Sequence, residues 1–368
     1  MSDNIRVRFA PSPTGKVHIG NIRTAIFNYL FARNESGDFL IRVEDTDRER
    51  STQDAIDKLF DCLEWLGLDY DGEVFYQSRE ADNHIKAAEQ LLEQGKAYRP
   101  APKTPGEETP VIFRIPWETD DNPAVNIVGE TEIKVHSQVP VVIAPSGISY
   151  AQISKKGKPV PAAASLAGFH KLTVFDADGA VLFEIENEID AILKEGREFT
   201  IEGAALFKFE RREVFFNDII KGKLAKPLDT MKDLVIVRSD GSPVFHLANV
   251  LDDAVQQVTH IIRGDDHVEN TYRHLFLFQA LNREAPSYGH MPMIVNAQGK
   301  PLSKRDVDAF VGDFRLKGYL PEALLNYLAF LGWSPGDGRE KMSKQELIKA
   351  FSIDRVLSSP ARFDAVKL

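Results

Sequence analysis

Residues 1–100 alternate short apolar strands with helices, which limits the chain to few folds. The apolar pattern predicts a strand at 5–10, a helix at 20–34 and a second strand at 38–43. A strand, helix and strand at this spacing form a βαβ unit, in which the two strands are parallel. Further helices are predicted at 51–66 and 79–94. We therefore expect an α/β fold built on a parallel sheet.

A different pattern begins near Tyr98. Six prolines between residues 100 and 123 disfavour a helix there. Farther on, β-rich runs are separated by turn signals such as Asp178-Gly179. These runs lie at 139–144, 171–175, 181–185 and 213–216. The pattern predicts a separate, mostly β insertion, for which we take the bounds 101–216.

The α/β pattern returns from Asp233. It predicts strands at 234–238, 258–263 and 291–296, with a helix at 268–281. The parts before and after the insertion are therefore expected to form one sheet, with 1–100 and 217–310 as its two halves. The remaining residues, 311–368, are predicted to be helical, with helices at 321–331 and 343–351.

Cysteine content and hydropathy narrow the class of protein. The single cysteine, Cys62, excludes a disulfide framework and a cysteine-based structural zinc site, so no structural zinc is expected. The opening residues contain no apolar stretch that could serve as a signal peptide, and no run reaches the ~18 apolar residues of a membrane span. We expect a cytoplasmic protein that is a monomer and does not contact membranes.

The charge balance bears on nucleic-acid binding. The chain has 45 Lys and Arg residues against 55 Asp and Glu, which argues against a protein that coats nucleic acid non-specifically. Local basic surfaces are still candidates for specific binding, although each alone is typical of a solvated surface. They are formed by Lys155, Lys156 and Lys158, by Arg211 and Arg212, and by Lys221, Lys223 and Lys226.

The segment from Arg8 to Asn21, RFAPSPTGKVHIGN, joins the first strand to the first helix. This junction is where open α/β sheets bind ligands. Gly15 and Gly20 allow a ligand to approach closely, and the helix N-terminus offers N–H groups to a phosphate. His18, just before the helix, is placed to donate to a phosphate oxygen as negative charge develops there. The loop is therefore predicted to bind a phosphate-bearing ligand.

This string resembles the signature of a known family. HIGN is similar to the His-Ile-Gly-His signature of class I aminoacyl-tRNA synthetases, and PSPTG resembles the glutamyl-tRNA synthetases in particular. Glutaminyl enzymes carry a Pro-Glu-Pro-Asn-Gly-like string in that place. Four further segments resemble the same family: IRVEDTD at 41–47, HLANVLDD at 246–253, IRGDDH at 262–267 and PLSKR at 301–305. The resemblance covers residues 1–117 and about 213–368.

The resemblance implies a fold and an activity. The fold is a Rossmann-like parallel sheet, the class I synthetase catalytic domain, interrupted by a β-rich acceptor-binding insertion and followed by a helical stem-contact segment. The activity is the activation of L-glutamate by ATP, with Mg²⁺ accompanying ATP, and transfer of the glutamyl group to the 3′ end of tRNA(Glu). Because the sequence stops within a stem-contact stretch, FDAVKL at 363–368, the family's C-terminal anticodon-binding domain is expected to be lacking.

The motif positions imply site residues. By resemblance, His18 and Lys304 are catalytic. The predicted glutamate site comprises Arg8, Ala10, Ser12, Glu44, Phe245, Asn249 and Arg263. The predicted ATP site comprises His18, Gly20, Asn21, Asp266, Leu302, Ser303, Lys304 and Arg305. Their chemistry agrees, because Glu44 can hold the substrate ammonium and the planar forks of Arg8 and Arg263 suit a carboxylate.

Two lysine motifs compete for the role of the ATP loop. Lys304 stands in a segment that resembles the second class I signature, Lys-Met-Ser-Lys-Ser, whose lysine offsets charge on the ATP phosphates. A literal KMSK occurs at 341–344. There, residues 343–346 form a predicted capping box that opens a helix downstream of the sheet, so we do not assign this copy to ATP.

The sequence also departs from the family. Pro301 replaces the first loop lysine, Phe245 replaces a tyrosine, and Asp265 replaces a glutamate. Residues 118–212 match nothing in the family's acceptor-binding domain.

Two other hypotheses follow from these features. One is a glutamyl-queuosine tRNA(Asp) synthetase-like paralogue, which also lacks an anticodon-binding domain but usually carries a cysteine-rich zinc site. The other is a non-catalytic adapter that retains the fold and binds RNA or protein.

Overall fold

The computed structural model describes residues 4–13, 15–46, 51–119, 122–302, 310–364 and 367–368. Within these ranges the helices are α1 (Ile19–Asn34), α2 (Gln53–Trp65), α3 (Ala81–Glu93), α4 (Ile185–Glu195), α5 (Phe245–Val255), α6 (Val268–Ala280), α7 (Val311–Leu316), α8 (Pro321–Ala329) and α9 (Lys344–Ala350). The strands are β1 (Arg6–Phe9), β2 (Asp38–Val43), β3 (Phe75–Tyr76), β4 (Ala97–Tyr98), β5 (Val111–Phe113), β6 (Val125–Lys134), β7 (Val141–Ala144), β8 (Gly147–Ile153), β9 (Pro159–Ala164), β10 (His170–Phe175), β11 (Val181–Glu184), β12 (Phe199–Ile201), β13 (Leu206–Asp218), β14 (Gly222–Pro227), β15 (Leu234–Val237), β16 (His260–Gly264), β17 (Ser287–Met291), β18 (Ile294–Val295) and β19 (Ala361–Arg362).

Parallel strands in the order β3-β2-β1-β16-β17 form the central sheet. This 3-2-1-4-5 order is that of the Rossmann fold. Apolar side chains such as Val7, Phe39, Ile41 and Ile262 have no exposed surface, as expected for a parallel sheet that is covered on both faces. The predicted α/β fold with a Rossmann-like sheet is confirmed.

Helix α1 is buried around most of its circumference. It lies against β1, β2 and β16 on one side and against α8 and α9 on the other. Its residues Ile22, Ile26, Phe27 and Leu30 share one apolar core with Trp333 of the C-terminal segment. The C-terminal helices α8 and α9 therefore pack on the side of α1 that faces away from the sheet.

Strand β13 connects the central sheet to the β-rich insertion. It pairs parallel with β17 at one position, Asp218 opposite Tyr288, and antiparallel with β6, β10 and β14. A second sheet, β12-β7-β8-β9, packs against this extension around Tyr150, Phe169 and Phe207. The predicted run 213–216 is thus the end of a much longer strand that joins both parts.

The insertion also contains helix α4, which the interpretation as a mostly β region missed. The signal was present, because Ile185, Ile189, Ile192 and Leu193 follow helical spacing. Gly196 ends the helix with a positive φ of 74°, a conformation that glycine adopts without strain.

Two strands that the sequence predicted for the central sheet lie elsewhere in the structure. β15 pairs antiparallel with β5 in a small sheet, β15-β5-β4, since its exposed Val235 would not suit a strand covered on both faces. The predicted strand 291–296 is divided between β17 and β18. Pro292 has no N–H with which to continue the ladder, and β18 pairs instead with β19.

The candidate basic surfaces differ in whether their cations are already paired within the fold or exposed to solvent. Arg211 donates twice to the Asp229 carboxylate, at 3.1 and 2.7 Å, and Arg212 is buried, donating to the Trp117 and Ala167 carbonyls. Lys221 pairs with Asp265 and Lys226 with Glu269. Lys155, Lys156 and Lys158, at the exposed turn between β8 and β9, have solvent-facing side chains, and so does Lys223, which lies over the Phe215 ring.

None of the helices in the described ranges combines the length and apolar character that crossing a bilayer requires.

Candidate active site

A cleft of about 590 Å³ opens where β1, β2 and β16 end, beside the N-terminus of α1. Every described residue predicted to bind glutamate or ATP lines it. These residues are Arg8, Ala10, Ser12, His18, Gly20, Asn21, Glu44, Phe245, Asn249, Arg263, Asp266 and Leu302. Ser303, Lys304 and Arg305 lie outside the described residues.

The N-terminus of α1 faces the cleft through His18, Gly20 and Asn21. His18 caps the helix, and its Nδ1 accepts from the Gly20 N–H at 3.1 Å. Because Nδ1 is the acceptor, the ring proton is on Nε2. A Cβ on Gly20 would lie 3.1 Å from that same Nδ1, so glycine fits this turn best. The helix begins without an acidic side chain in its first turn, which leaves its positive end available to an anion.

A buried network of arginines and carboxylates forms the floor of the cleft. Asp253 accepts from Arg8 Nε at 2.8 Å and from Arg42 Nη1 at 2.6 Å. Glu44 accepts from Asn249 Nδ2 at 2.9 Å and lies 3.4 Å from Arg42 Nη2. Burial alone would raise the pKa of Asp253, but Arg42 and Arg8 hold it below its ordinary value. Burial raises the pKa of Glu44 in spite of the same two arginines.

Sequence reasoning left Arg42 and Asp253 without a role, although both lie in the motif strings. A charged residue within an otherwise apolar strand was the available signal for Arg42, whose side chain is wholly buried. Asp253 joins it only because the fold brings α5 close enough for this side chain to reach Arg8 of β1 and Arg42 of β2.

Arg263, at the end of β16, is another buried arginine that lines the cleft. Its Nε donates to His290 Nε2 at 3.2 Å, and its Nη2 donates to Thr271 Oγ1 at 2.7 Å and to the His267 carbonyl at 3.3 Å. Among the described residues its Nη1 has no hydrogen-bond partner. Burial lowers the pKa of Arg263 to about 10.

A neutral aromatic cluster closes one end of the cleft. The Phe245 ring lies 5.5 to 5.9 Å from the rings of His246, His267 and His274. His246 Nδ1 lies 3.1 Å from His274 Nε2. Burial, together with the nearby Arg273, lowers the pKa of His246 to about 4, so this cluster is uncharged at neutral pH.

The described residues on either side of 303–309 are Leu302 and Phe310, and both lie near the cleft. Leu302 lines the cleft and donates its N–H to the Ile294 carbonyl at 2.8 Å. Phe310 pairs with His18 across an antiparallel bridge, and Val311 N donates to the Val17 carbonyl at 3.0 Å.

The second lysine motif lies elsewhere. The Ser343 side chain and the Glu346 carboxylate form the predicted capping box of α9, and Lys344 Nζ donates to the Gly67 carbonyl at 2.7 Å. None of residues 341–344 lines the cleft.

Arg23 is a cleft residue that sequence reasoning missed. Its guanidinium donates to the carbonyls of Pro292 and Leu331, and so ties α1 to the segment after β17 and to the end of α8. Within the described ranges, no group of three or more His, Cys, Asp or Glu residues is arranged to hold a metal ion.

The 3-2-1-4-5 sheet, the HIGN helix start and the charged cleft between them define a class I synthetase catalytic core. The profile of the family described as tRNA synthetases class I (E and Q), catalytic domain, matches residues 4–108 and 177–368. Since this match covers most of the chain, the chain belongs to that family. Residues 109–176 fall between the two matched ranges.

Relatives and solved structures of this family match the whole chain. It is 37% identical over 376 residues to glutamate–tRNA ligase 1 of Thermoanaerobacter pseudethanolicus and to that of Thermoanaerobacter sp. X514, covering 100% of the chain and 66% of each relative. It resembles the crystal structure of a glutamate tRNA ligase from Elizabethkingia meningosepticum in complex with its amino acid, with a TM-score of 0.66 and 29% identity over 99% of the chain and 68% of that structure. A glutamate–tRNA synthetase from Elizabethkingia anophelis gives a TM-score of 0.65, at 27% identity over 99% and 69%. The chain thus spans 66% of the length of the curated relatives it matches.

Proposed function

We propose that this chain activates L-glutamate with ATP, forming glutamyl-adenylate and pyrophosphate, and transfers the glutamyl group to the 3′ end of tRNA(Glu). The observation that carries this proposal is the environment of Arg263. Its guanidinium is buried at the cleft, and within the part of the chain that the structure describes its hydrogen bonds go only to neutral groups.

A buried cation without a counterion is unfavourable, which is why burial lowers the pKa of Arg263. A substrate carboxylate at Nη1 would supply both the missing charge and the missing acceptor. A glutamine amide could turn its oxygen toward Nη1 but carries no negative charge, so the buried cation would keep no counterion. Sites that depend on such polar pairing discriminate by about 10⁴ to 10⁵.

The charge of the cleft floor also fits glutamate. The ion-paired cluster of Arg8, Arg42, Asp253 and Glu44 contains two guanidiniums and two carboxylates, so it is balanced. Arg263 adds one positive charge. At neutral pH L-glutamate carries a net charge of about −1 and glutamine about 0. Glutamate, with its ammonium at Glu44, would therefore bring the negative charge that Arg263 lacks, whereas glutamine would not.

The residues on the other side of the cleft fit the phosphates of ATP. The N-terminus of α1 presents its positive dipole end without an acidic side chain in its first turn, and His18, whose ring proton is on Nε2, lies beside it. A Cβ on Gly264 would lie 2.5 Å from Asp266 Oδ1, so a larger residue there would displace the Asp266 side chain. Mg²⁺ would arrive with ATP, held chiefly by the phosphates.

In this reaction the chain mainly positions the substrates and offsets charge. Arg8 and Arg263 hold glutamate so that its α-carboxylate oxygen attacks the α-phosphorus of ATP, and pyrophosphate leaves. His18 and Lys304 donate to phosphate oxygens as negative charge develops on them. The 3′-terminal hydroxyl of tRNA then attacks the glutamyl carbonyl and releases AMP.

The rival hypotheses are less well supported. The curated relatives are glutamate–tRNA ligases, and their match extends over the whole chain. An adapter that only binds RNA or protein would not need the buried Arg8–Asp253–Arg42–Glu44 network beside a helix start open to phosphate.

The test is ATP–pyrophosphate exchange with tRNA present. Exchange should depend on glutamate and be close to background with glutamine. Arg263→Lys keeps the charge but loses the planar fork, so KM for glutamate should rise about 10-fold or more, the scale of hydrogen bonds to charged groups.

Arg283→Lys, at an exposed arginine after α6, is the matched control and should behave as the parent chain. Equal exchange rates with glutamate and glutamine would contradict the assignment of Arg263 to the side-chain carboxylate. Absence of any amino acid-dependent exchange would contradict the reaction itself.

A further inference from the structure

Arg263 is supported from behind by Asp218 and His290, neither of which lines the cleft. Both side chains are completely buried, Asp218 where β13 ends and His290 within β17. Asp218 Oδ2 lies 2.6 Å from His290 Nδ1 and 3.0 Å from its backbone N. Asp218 Oδ1 accepts from the N–H groups of Ile220 and Lys221 at 2.9 and 2.8 Å. The carboxylate is therefore fixed on both sides.

This contact determines which ring nitrogen of His290 carries the proton. Burial lowers the pKa of His290, so its imidazole is neutral at pH 7. Burial would raise the pKa of Asp218, but the hydrogen bond from His290 keeps it below its ordinary value, so Asp218 is a carboxylate. A carboxylate at Nδ1 requires the proton there, which leaves a lone pair on Nε2.

That lone pair faces Arg263. His290 Nε2 lies 3.2 Å from Arg263 Nε and 3.1 Å from Thr271 Oγ1, and Thr271 Oγ1 accepts from Arg263 Nη2 at 2.7 Å. The opposite tautomer would set an imidazole N–H against the guanidinium N–H. Because the guanidinium is planar, fixing Nε and Nη2 also fixes the direction of Nη1, the nitrogen without a partner among the described residues.

We propose that Asp218 and His290 are positioning residues: through the Nδ1–H tautomer of His290 they hold the Arg263 guanidinium with Nη1 directed at the substrate carboxylate. This inference rests on the proposed function, since it takes that carboxylate to be glutamate's. Asp218 and His290 act through Arg263 and do not touch the substrate themselves.

Asp218→Asn is the most direct test. An asparagine Oδ1 can still accept from the Ile220 and Lys221 N–H groups, but its amide N–H now faces His290 Nδ1 and favours the wrong tautomer, as aspartate-to-asparagine changes do beside catalytic histidines. KM for glutamate should rise about 10-fold to 100-fold, the cost of a misplaced binding group. KM for ATP should stay unchanged.

A pair of His290 variants separates positioning from packing. His290→Asn retains a donor toward Asp218 but removes the acceptor at Nε2, whereas His290→Gln can place an amide oxygen near that acceptor position. KM for glutamate should therefore be raised more by Asn than by Gln, with similar melting temperatures for the two variants. His170→Asn removes another histidine–carboxylate contact, His170 Nδ1 to Glu210 at 2.9 Å in the insertion, and should leave KM for glutamate unchanged.

Calorimetric binding of glutamate to the same full-length chains distinguishes this inference from the proposed function. A parent chain that binds glutamate but catalyses no exchange would contradict the reaction and leave the positioning test intact. A folded Asp218→Asn chain that binds glutamate as tightly as the parent, or that shifts KM for glutamate and ATP by the same factor, would overturn the positioning role. If His290→Asn fails to fold, Asp218→Asn and His290→Gln decide the question.

Discussion

The buried charged residues of this chain differ in how readily the sequence points to them. Arg8, Glu44 and Arg263 could be selected from the sequence because they lie in motif strings whose chemistry suits an amino acid substrate. The sequence offers no comparable reason to select Asp218 or His290. They come together only because β13 and β17 are neighbours, which the spacing of apolar residues does not determine.

Asp233 is a buried charge outside the cleft, and it offers a test of stability. It accepts from Ser165 Oγ at 2.7 Å, from Ile115 N at 3.1 Å and from the Tyr98 hydroxyl at 3.3 Å. Burial raises the pKa of Asp233 to about 6. An acid whose pKa is higher in the folded than in the unfolded state gains a proton on folding, so it stabilises the fold as the pH falls below about 6 and costs stability above it.

Asp233→Asn should therefore stabilise the chain at pH 7.5, by about 1 kcal/mol. The amide oxygen can accept from Ser165 and Ile115 and the amide N–H can donate to the Tyr98 hydroxyl, so the contacts are kept without a buried charge. The advantage should shrink as the pH falls toward 4.5, where Asp233 itself is protonated. Urea unfolding midpoints of parent and variant at the two pH values measure this difference.

Asp240→Asn is the control for the same chemical change. The Ser242 hydroxyl and N–H donate to the Asp240 carboxylate and lower its pKa, so neutralising it should not stabilise the chain. A stability difference for Asp233→Asn that is the same at both pH values would contradict a raised pKa for Asp233.

At the scale of elements, the sequence predicted those whose own pattern is strong. Helix α1 and strands β1 and β2 were found within one or two residues, because each carries enough buried apolar residues to mark it, although Arg8 and Arg42 interrupt the apolar pattern of the two strands. The partners of β15 and the length of β13 could not be predicted. Both depend on pairing with residues far away in the chain, at Val111–Phe113 and Val125–Lys134, and strand pairing leaves little mark on either sequence.

The two lysine motifs show that the role of a motif depends on where the fold places it. The described residues that flank the segment with Lys304 are Leu302, which lines the cleft, and Phe310, which pairs with His18, whereas Lys344 begins α9 and donates to the Gly67 carbonyl. Lys304→Ala should lower the rate of glutamate activation by about 10² or more, the scale of removing one transition-state donor. Lys344→Ala should leave that rate nearly unchanged and lower only stability. Pyrophosphate exchange at saturating substrates measures both.

The two substitutions are chemically identical, so each is the control for the other. A large loss of rate for Lys344→Ala in a folded chain, with none for Lys304→Ala, would mean that the ATP loop is the segment 341–344.

At the scale of the whole molecule, the least predictable part is the insertion. Residues 109–176 fall between the ranges that match the family. Of the strands there, β7, β8 and β9 form a sheet with β12, whereas β6 and β10 pair with β13, and an aromatic core lies between them. Its connection to the catalytic half runs through β13, whose last residue, Asp218, supports the Arg263 wall. The sequence predicted the presence of this part and its β content, but its packing depends on aromatic contacts such as Phe169 with Phe207 and Phe209.

The insertion also carries the basic surface that is still available to RNA. Arg211 and Arg212 are bound within the fold, so the candidates are the exposed Lys155, Lys156 and Lys158. If the insertion faces the acceptor arm of tRNA, reversing these three charges to glutamate should weaken binding and flatten its salt dependence. The slope of log K against log salt changes by roughly 0.7 to 0.9 for each phosphate that the protein no longer neutralises, so a change of about 2 is expected.

A matched variant reverses three exposed cations outside the insertion, Lys86, Arg283 and Lys341, and changes the net charge equally. The salt dependence of tRNA binding reports phosphate neutralisation as well as the overall charge of the protein. The β8–β9 turn therefore lies on the tRNA backbone only if the slope changes in the insertion variant and changes much less in the matched variant. Equal slopes in both variants and the parent would mean that the turn faces solvent or a protein partner when tRNA is bound.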